Sequence, residues 1–343
     1  MTMRTPDSAA GNSFDLGSVE AAVAVAIRAP SIYNTQPWWW DLRSDGLDLR
    51  ADRSRQLAVV DPDGHSLLIS CGASLALAKY GFQAAGWRAA IARLPDPADP
   101  DLVARLRPLD RAQPTRADLD RVAAAQRRQS DRRPYKPEPV PEKVIDHLRD
   151  ATREPGVYAH FPTRADEYIE LAVAVSHADH IERHNVAYLA ELSKWIRPEG
   201  TATDGVPVTA VPHLSAGHPR HTNIALRDFE LAAPGLQLIE LDVDENPLLA
   251  VVLTNTSGPD AQIRAGEAMM RLMIEAELRG VATCPLSQAV DLLAFRALLR
   301  AVMGWPDYPQ MMLRLGVAPA GDHPSATPRR PVTEVLRIRG IGT

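Results

Sequence analysis

The stretch Ala29-Pro30-Ser31-Ile32-Tyr33-Asn34-Thr35-Gln36-Pro37-Trp38 joins a helical segment to a strand. Pro30 ends a helix that Ser18 caps and that runs to about Ala29, because a residue before proline is pushed out of the helical region. Beyond Pro37, Trp38 to Leu42 and Leu47 to Ala51 read as a hairpin around Ser44-Asp45-Gly46. Between the two prolines the chain presents Ser31, Asn34 and Gln36. Amides both donate and accept hydrogen bonds, so these side chains suit the edge of a heterocycle with alternating carbonyls and ring nitrogens. They equally suit nearby backbone groups in a structured connection.

Outward from this loop, apolar spacing predicts a long helix from Asp63 to Ala85, stopped by Gly86. Strands follow at Trp87–Leu94 and Leu102–Pro108. Thr115 and Asp118 make a capping-box start for a helix to about Arg128. Prolines 134, 137, 139 and 141 hold an extended segment before a helix at Glu142–Arg153, and a helical stretch covers Ala165 to about Trp195. Residues 198–234, rich in Gly, Pro, Thr and His, have no period, which suits a lid, a binding loop or a disordered segment. The last third predicts a strand at Leu248–Thr254, a helix at Asp260–Arg279 stopped by Gly280 and a strand at Val281–Cys284. A helix at Asp291–Met303 and a strand at Met311–Val317 complete it. The fold class is α+β. A faint internal echo sets Leu102-Val103-Ala104-Arg105-Leu106 against Met311-Met312-Leu313-Arg314-Leu315.

Three further stretches carry candidate chemistry. Arg128, Ser130 and Arg132 alternate, so in an extended backbone they leave on one side, where two forked guanidiniums and a hydroxyl match a phosphate. The competing reading is a basic helix end followed by a solvated charge run. Thr283-Cys284-Pro285-Leu286-Ser287-Gln288 spans a strand-to-helix turn, where backbone N–H groups are free to face a ligand. Arg329 and Arg330 either add cations to a phosphate site or form a basic tail.

Composition narrows the classes. The 343 residues are 45% hydrophobic and 24% charged, ordinary for a globular protein with a sizeable core. A formal net charge of −5 argues against a nucleic-acid partner, and no apolar run approaches the ~18 residues of a membrane span. The first fifteen residues lack the apolar core of a signal peptide, and two cysteines make no disulfide framework; both fit the cytoplasm. His177, His180 and His184 share a helical face, read as polar rather than as a metal site. Trp38-Trp39-Trp40 alternates faces on a strand, so one or two of the three reach a ligand at most.

Together these four stretches resemble the FMN-dependent nitroreductase family, and more narrowly its two-halved Acg-type branch described from mycobacteria. In that family an R-x-S-x-R motif binds the FMN phosphate; it is similar to Arg128, Ser130 and Arg132. The family's P-S-x-x-N-x-Q-P-W loop, which reaches over the isoalloxazine from the neighbouring subunit, resembles Pro30, Ser31, Asn34, Gln36, Pro37 and Trp38. The strand-end segment near the flavin is similar to Pro285, Leu286, Ser287 and Gln288, and a late K/R-x-R-x-P element to Arg329 or Arg330. The resemblance implies a cofactor set of these residues with Arg28 and Ile32. It also implies a nitroreductase-like fold, with central antiparallel or mixed sheets flanked by helices. Where typical members place an acidic residue and a glycine after Pro-Leu, this chain has Ser287 and Gln288.

The phosphate-type motif occurs only in the second half and the amide loop only in the first. Halves at 1–125 and 126–343, degenerate in complementary ways, would keep one composite site. The resemblance then implies one FMN per chain in an internal pseudo-dimer that is a monomer, with further pairing into a homodimer left open. The implied activity is reduction of nitro compounds, quinones or similar small electrophiles, with NAD(P)H as co-substrate and no dedicated acid–base side chain. The alternative is a silent flavin-sequestering protein with residues 198–234 as a lid.

Overall fold

The structure, a computed structural model, describes residues 13–197, 202–210, 227, 246–319, 321, 324 and 326–339. The expected lid thus lies outside the described residues except for 202–210 and 227. In chain order the elements are α1 (Leu16–Ala26), β1 (Trp38–Arg43), β2 (Gly46–Ala51), α2 (His65–Ala84), β3 (Trp87–Arg93), β4 (Leu102–Arg111), α3 (Arg116–Arg127) and α4 (Glu142–Thr152). There follow β5 (Val157–His160), α5 (Ala165–Arg183), α6 (Val186–Ser193), β6 (Ile196–Arg197), β7 (Val206–Pro207), β8 (Leu248–Thr254) and α7 (Pro259–Glu277). The chain closes with β9 (Val281–Leu286), α8 (Gln288–Asp291), α9 (Leu293–Val302), β10 (Tyr308–Val317), α10 (Val332–Val335) and β11 (Leu336–Ile338).

The fold is α+β and internally duplicated. Among the described residues one large sheet runs β11-β1-β2-β4-β3 and a second β5-β8-β10-β9, while β6 and β7 form a separate two-stranded sheet. Apart from β11, each large sheet is an antiparallel four-strand set in which the second and third strands of the sequence are joined by a long helix, α2 of 20 residues in one and α7 of 19 in the other. Both helices end before a left-handed glycine, Gly86 (φ 79°) and Gly280 (φ 71°), which directly precedes the third strand. β11 then returns from the chain's end to pair in parallel with β1, Trp40 opposite Leu336.

The two long helices form the centre. Seventeen of the twenty α2 residues are buried, so α2 is covered on every side rather than on one stripe. It crosses α7 at paired glycines: a Cβ on Gly72 would lie 2.0 Å from the Ile263 carbonyl oxygen, and one on Gly266 2.0 Å from that of Ile69. The backbones meet there with no room for a side chain. Among the described residues, no helix is long and apolar enough to cross a membrane.

Several boundaries differ from expectation, each for a local reason. The carboxylate of Asp15, not Ser18, caps α1, accepting from the Ser18 amide and hydroxyl at 2.8 Å. The expected helix from Ala165 to Trp195 breaks at Asn185, whose side chain accepts from the Ala187 and Tyr188 amides and caps α6 instead. The helix expected at Asp291–Met303 is two, parted at the extended Leu292 (φ −95°, ψ 143°). The Thr115–Asp118 capping box forms as expected. The short strands β5 and β11 had no pattern long enough to announce them.

Candidate functional site

The loop after α1 is strained where function would want it. Tyr33, Asn34 and Gln36 all have positive φ (48°, 54° and 49°), a conformation non-glycine residues hold only when their surroundings insist. Here the surroundings do. The Ser31 hydroxyl accepts from the Gln36 amide at 2.9 Å. Asn34 Nδ2 donates to the carbonyls of Gly205 and Pro328, both at 2.9 Å, and its Oδ1 accepts from Arg329 at 3.0 Å. Gln36 Nε2 donates to the Thr203 carbonyl at 2.9 Å, while its Oε1 accepts from the Arg330 amide at 2.8 Å. Of the two uses open to these amides, the structure shows the backbone one: they pin residues 203–205 and 328–330 to the loop.

That pinning leaves Pro30, Ser31, Ile32 and Tyr33 along one wall of a cleft of about 770 Å³, its open mouth included. Ser130 and Arg132 stand in the same cleft, although a hundred residues away in sequence. They are held there because Ser130 bridges to Thr283 and the Asp131 amide donates to the Thr283 carbonyl at 2.9 Å. The end of β9 supplies Cys284, Pro285, Leu286, Ser287 and Gln288; the first turns of α2 supply Ser66, Ile69 and Ser70; Met269 and Met311 add apolar surface. A buried carboxylate, Asp61, fixes that end of α2 by accepting the Ser66 and Leu67 amides at 2.8 Å, and burial pushes its pKa up to about 7.

Arg28, Arg128 and Arg329 gather beside these walls. Arg128 and Arg329 both donate to the Arg28 carbonyl, at 3.1 and 3.4 Å. Burial first, and then the neighbouring guanidiniums, lowers the pKa of Arg128 to about 10 and that of Arg329 well below the usual arginine value. Arg28 is lowered too, by burial. Arg128 is 2% exposed, and its Nε and Nη1, with Nε of Arg329, have no hydrogen-bond partner among the described residues. Three cations crowded together with buried donors unmet describe a place for an anion with several oxygens. The chain leads from this cluster to the cleft twice, through residues 28–30 and 128–130. The residues present therefore fit a mononucleotide: guanidiniums for a phosphate, and an apolar cleft edged with hydroxyls for a ring.

Of the residues singled out in the sequence, Pro30, Ser31, Ile32, Ser130, Arg132, Pro285, Leu286, Ser287 and Gln288 line the cleft. Arg28, Arg128 and Arg329 form the cationic cluster beside it. Asn34, Gln36 and Arg330 brace the loop. Trp38 and Trp40 are core residues with no exposure, and Trp39 lies under the Arg337 guanidinium at 4.3 Å. Sequence reasoning missed Arg227. Its guanidinium donates to the Tyr33 hydroxyl, to the Asp291 carboxylate and, at 3.3 Å, to Ser287 Oγ. A single arginine in an aperiodic stretch gives no signal of such a role.

Proteins similar to this chain come from Mycobacterium tuberculosis (strain ATCC 25618 / H37Rv). One named "Putative NAD(P)H nitroreductase acg" is 32% identical over 325 residues, 94% of this chain and 96% of that protein. A second bearing the same enzyme name is 34% identical over 328 residues, 94% of this chain and 92% of its own length. Solved structures similar in shape include the FMN and NADPH-dependent nitroreductase NfnB from sphigopyxis sp. strain HMH. It is 17% identical, with a TM-score of 0.40 over 64% of this chain and 99% of that one. A nitroreductase with bound FMN from Bacteroides fragilis NCTC 9343 is 12% identical, with a TM-score of 0.38 over 61% and 94%. No protein-family model matches the chain.

Proposed function

The chain belongs to the Acg-containing family of proteins named as NAD(P)H nitroreductases, and we propose that it binds one FMN and passes electrons from NAD(P)H to nitro compounds, quinones or similar small electrophiles. The observation that carries this reading is the meeting of residues 30–33 with Ser130 and Arg132 in one cleft, next to a guanidinium cluster with unmet donors. Arg28, Arg128 and Arg329 would hold the phosphate. The walls at Pro30–Tyr33 and Pro285–Gln288 would orient the ring and exclude water from it. Bound FMN supplies the hydride chemistry; the chain supplies anchoring, orientation and access. The halves 1–125 and 126–343 act as the two subunits of a dimer fused into one monomer.

A second reading rests on Arg227, the one described residue between positions 211 and 245. It sits against Tyr33 and Ser287, both cleft residues, which favours hindered access to the cleft and a protein that sequesters flavin. Anaerobic stopped-flow mixing of the FMN-loaded protein with NADPH or NADH separates the two. Bleaching of the flavin absorbance within seconds is the result expected. No bleaching by either nucleotide, with dithionite still effective, overturns turnover in favour of sequestration. A chain that takes up no FMN overturns both.

A further inference from the structure

Next to the cleft lies a buried group of ionisable side chains that anchoring and orientation leave without a task. Tyr33 forms part of the cleft wall, and its phenol is buried against Tyr188 in a small apolar cluster with Leu57, Val60 and Val206. Tyr188 stands between Tyr33 and Glu182: Tyr33 acts on its titration, and it in turn holds the Glu182 pKa down. Glu182 is 5% exposed, and its Oε2 has no hydrogen-bond partner among the described residues. Arg227 faces all of these groups. Its guanidinium lies 4.8 Å from the Tyr33 ring, 5.7 Å from the Tyr188 ring and 3.8 Å from Glu182 Oε1.

The two carboxylates around Arg227 are unequal. Asp291 accepts from Arg227, from Ser287 Oγ at 3.2 Å and from Ser66 Oγ at 3.4 Å, so its charge is well met. Glu182 has one oxygen without a partner and only a distant cation. Burial pushes its pKa up, with Asp291 and Asp179 adding to the rise and Arg227 opposing it. Asp179 is itself paired with Arg183, on the same helix, and with Gln288. Glu182 is thereby suited to carry a proton near neutral pH.

Resting on the reading of the cleft as a reductase site, we propose that Glu182, Tyr188 and Tyr33 form a proton relay into it, with Tyr33 the catalytic acid that protonates the electron acceptor. For a quinone, the electron pair arrives as hydride that originates in NAD(P)H. As the carbonyl oxygen takes up charge, the Tyr33 O–H bond breaks and a new O–H bond forms on the acceptor. Tyr33 takes the proton of Tyr188, and Tyr188 takes that of Glu182. The carboxylate left behind faces Arg227, and the product is a hydroquinone. Glu182 is then recharged from solvent. The buried phenols stay protonated throughout the neutral range, since burial raises both well above the usual tyrosine value.

The test follows oxidation of the loaded protein after reduction with dithionite, so that it holds whether or not NAD(P)H reaches the cofactor. Benzoquinone, which takes up protons, is compared with ferricyanide, which takes up electrons alone. Reoxidation by benzoquinone in the unaltered protein should slow as pH rises through the Glu182 titration. Tyr33→Phe should slow it about 100-fold and flatten the profile, while ferricyanide is affected far less. Glu182→Gln should remove the pH step. In the protein without cofactor, carboxyl-carbon NMR should find the Glu182 pKa above the ordinary range and higher still in Tyr188→Phe, which removes a phenol that lowers it. An unchanged benzoquinone rate and profile in Tyr33→Phe overturns the relay. So does equal slowing with both oxidants, which marks a structural role. Failure of NADPH and NADH to bleach the flavin would instead count against the reductase reading.

Discussion

The ends of β9 and β3 occupy the same place in the duplicated topology and have opposite characters. Each strand follows a left-handed glycine, and the seventh residue from each strand's start is Ser287 in one half and Arg93 in the other. Ser287 lines the cleft. Arg93 instead reaches Glu267 on α7 at 2.7 Å, a carboxylate only 3% exposed. Glu267 follows the crossing glycine Gly266 as the small Ala73 follows Gly72. One half thus keeps a hydroxyl and space where the other has an ion pair. The difference teaches how a duplicated scaffold retains its core while one of its two equivalent positions turns structural.

The largest effect should fall on what the halves share. Gly266→Ala pushes a methyl into the Ile69 carbonyl, and Gly72→Ala does the same at Ile263. Urea unfolding should show each losing about 3 kcal/mol or more. A loss below 1 kcal/mol in either would mean that the helices do not meet as closely as the symmetry requires.

The next pair of substitutions sharpens the contrast between the regions. Arg128→Ala should weaken FMN about 30-fold, the value of one charge-assisted hydrogen bond of about 2 kcal/mol. It should leave the flavin-free protein no less stable, because a crowded buried cation has gone. Arg93→Ala should do the reverse, costing about 2 kcal/mol of stability by stranding Glu267 while FMN affinity holds. Fluorescence titration and chemical denaturation of both variants, in either order of effect, decide whether the two sites have truly diverged.

How much of this was legible in the sequence depended on how local the cause was. The capping box at Thr115, the glycine stops and the strand Leu248–Thr254 are written in a few adjacent residues and came out as expected. The break at Asn185 was also local, but a cap competing inside an amphipathic run looks like one more polar residue. For the site, Ser130 and Arg132 were readable from alternation and Pro285–Gln288 from a strand end. Asn34 and Gln36 were singled out, yet what their amides hold is a matter of segments some 170 and 295 residues distant, which no window reveals. Arg227, Ser66, Ser70, Met269 and Met311 reach the cleft by tertiary packing alone.

The last predicted effect is spread over several pH units. Asp61 is raised by burial to about 7, so it favours the fold when protonated, and that contribution fades as pH climbs from about 4 to 7. His65, pushed down to about 4 by burial, favours the fold when neutral, and its contribution fades as pH falls below 6.5. The two slopes oppose. Asp61→Asn should unmask the histidine, with stability dropping toward acid by up to about 1.4 kcal/mol per pH unit between 6.5 and 4, relative to the unaltered protein. Parallel curves for the two proteins would show that Asp61 titrates normally.

The most direct measurement is the equivalence point of an FMN titration of the purified chain, read by quenching of flavin fluorescence at protein concentrations well above Kd. A break at one FMN per polypeptide, blunted in Arg128→Ala and kept sharp in Arg93→Ala, is the predicted result. A break at two, or none at all, would contradict a single site assembled from both halves.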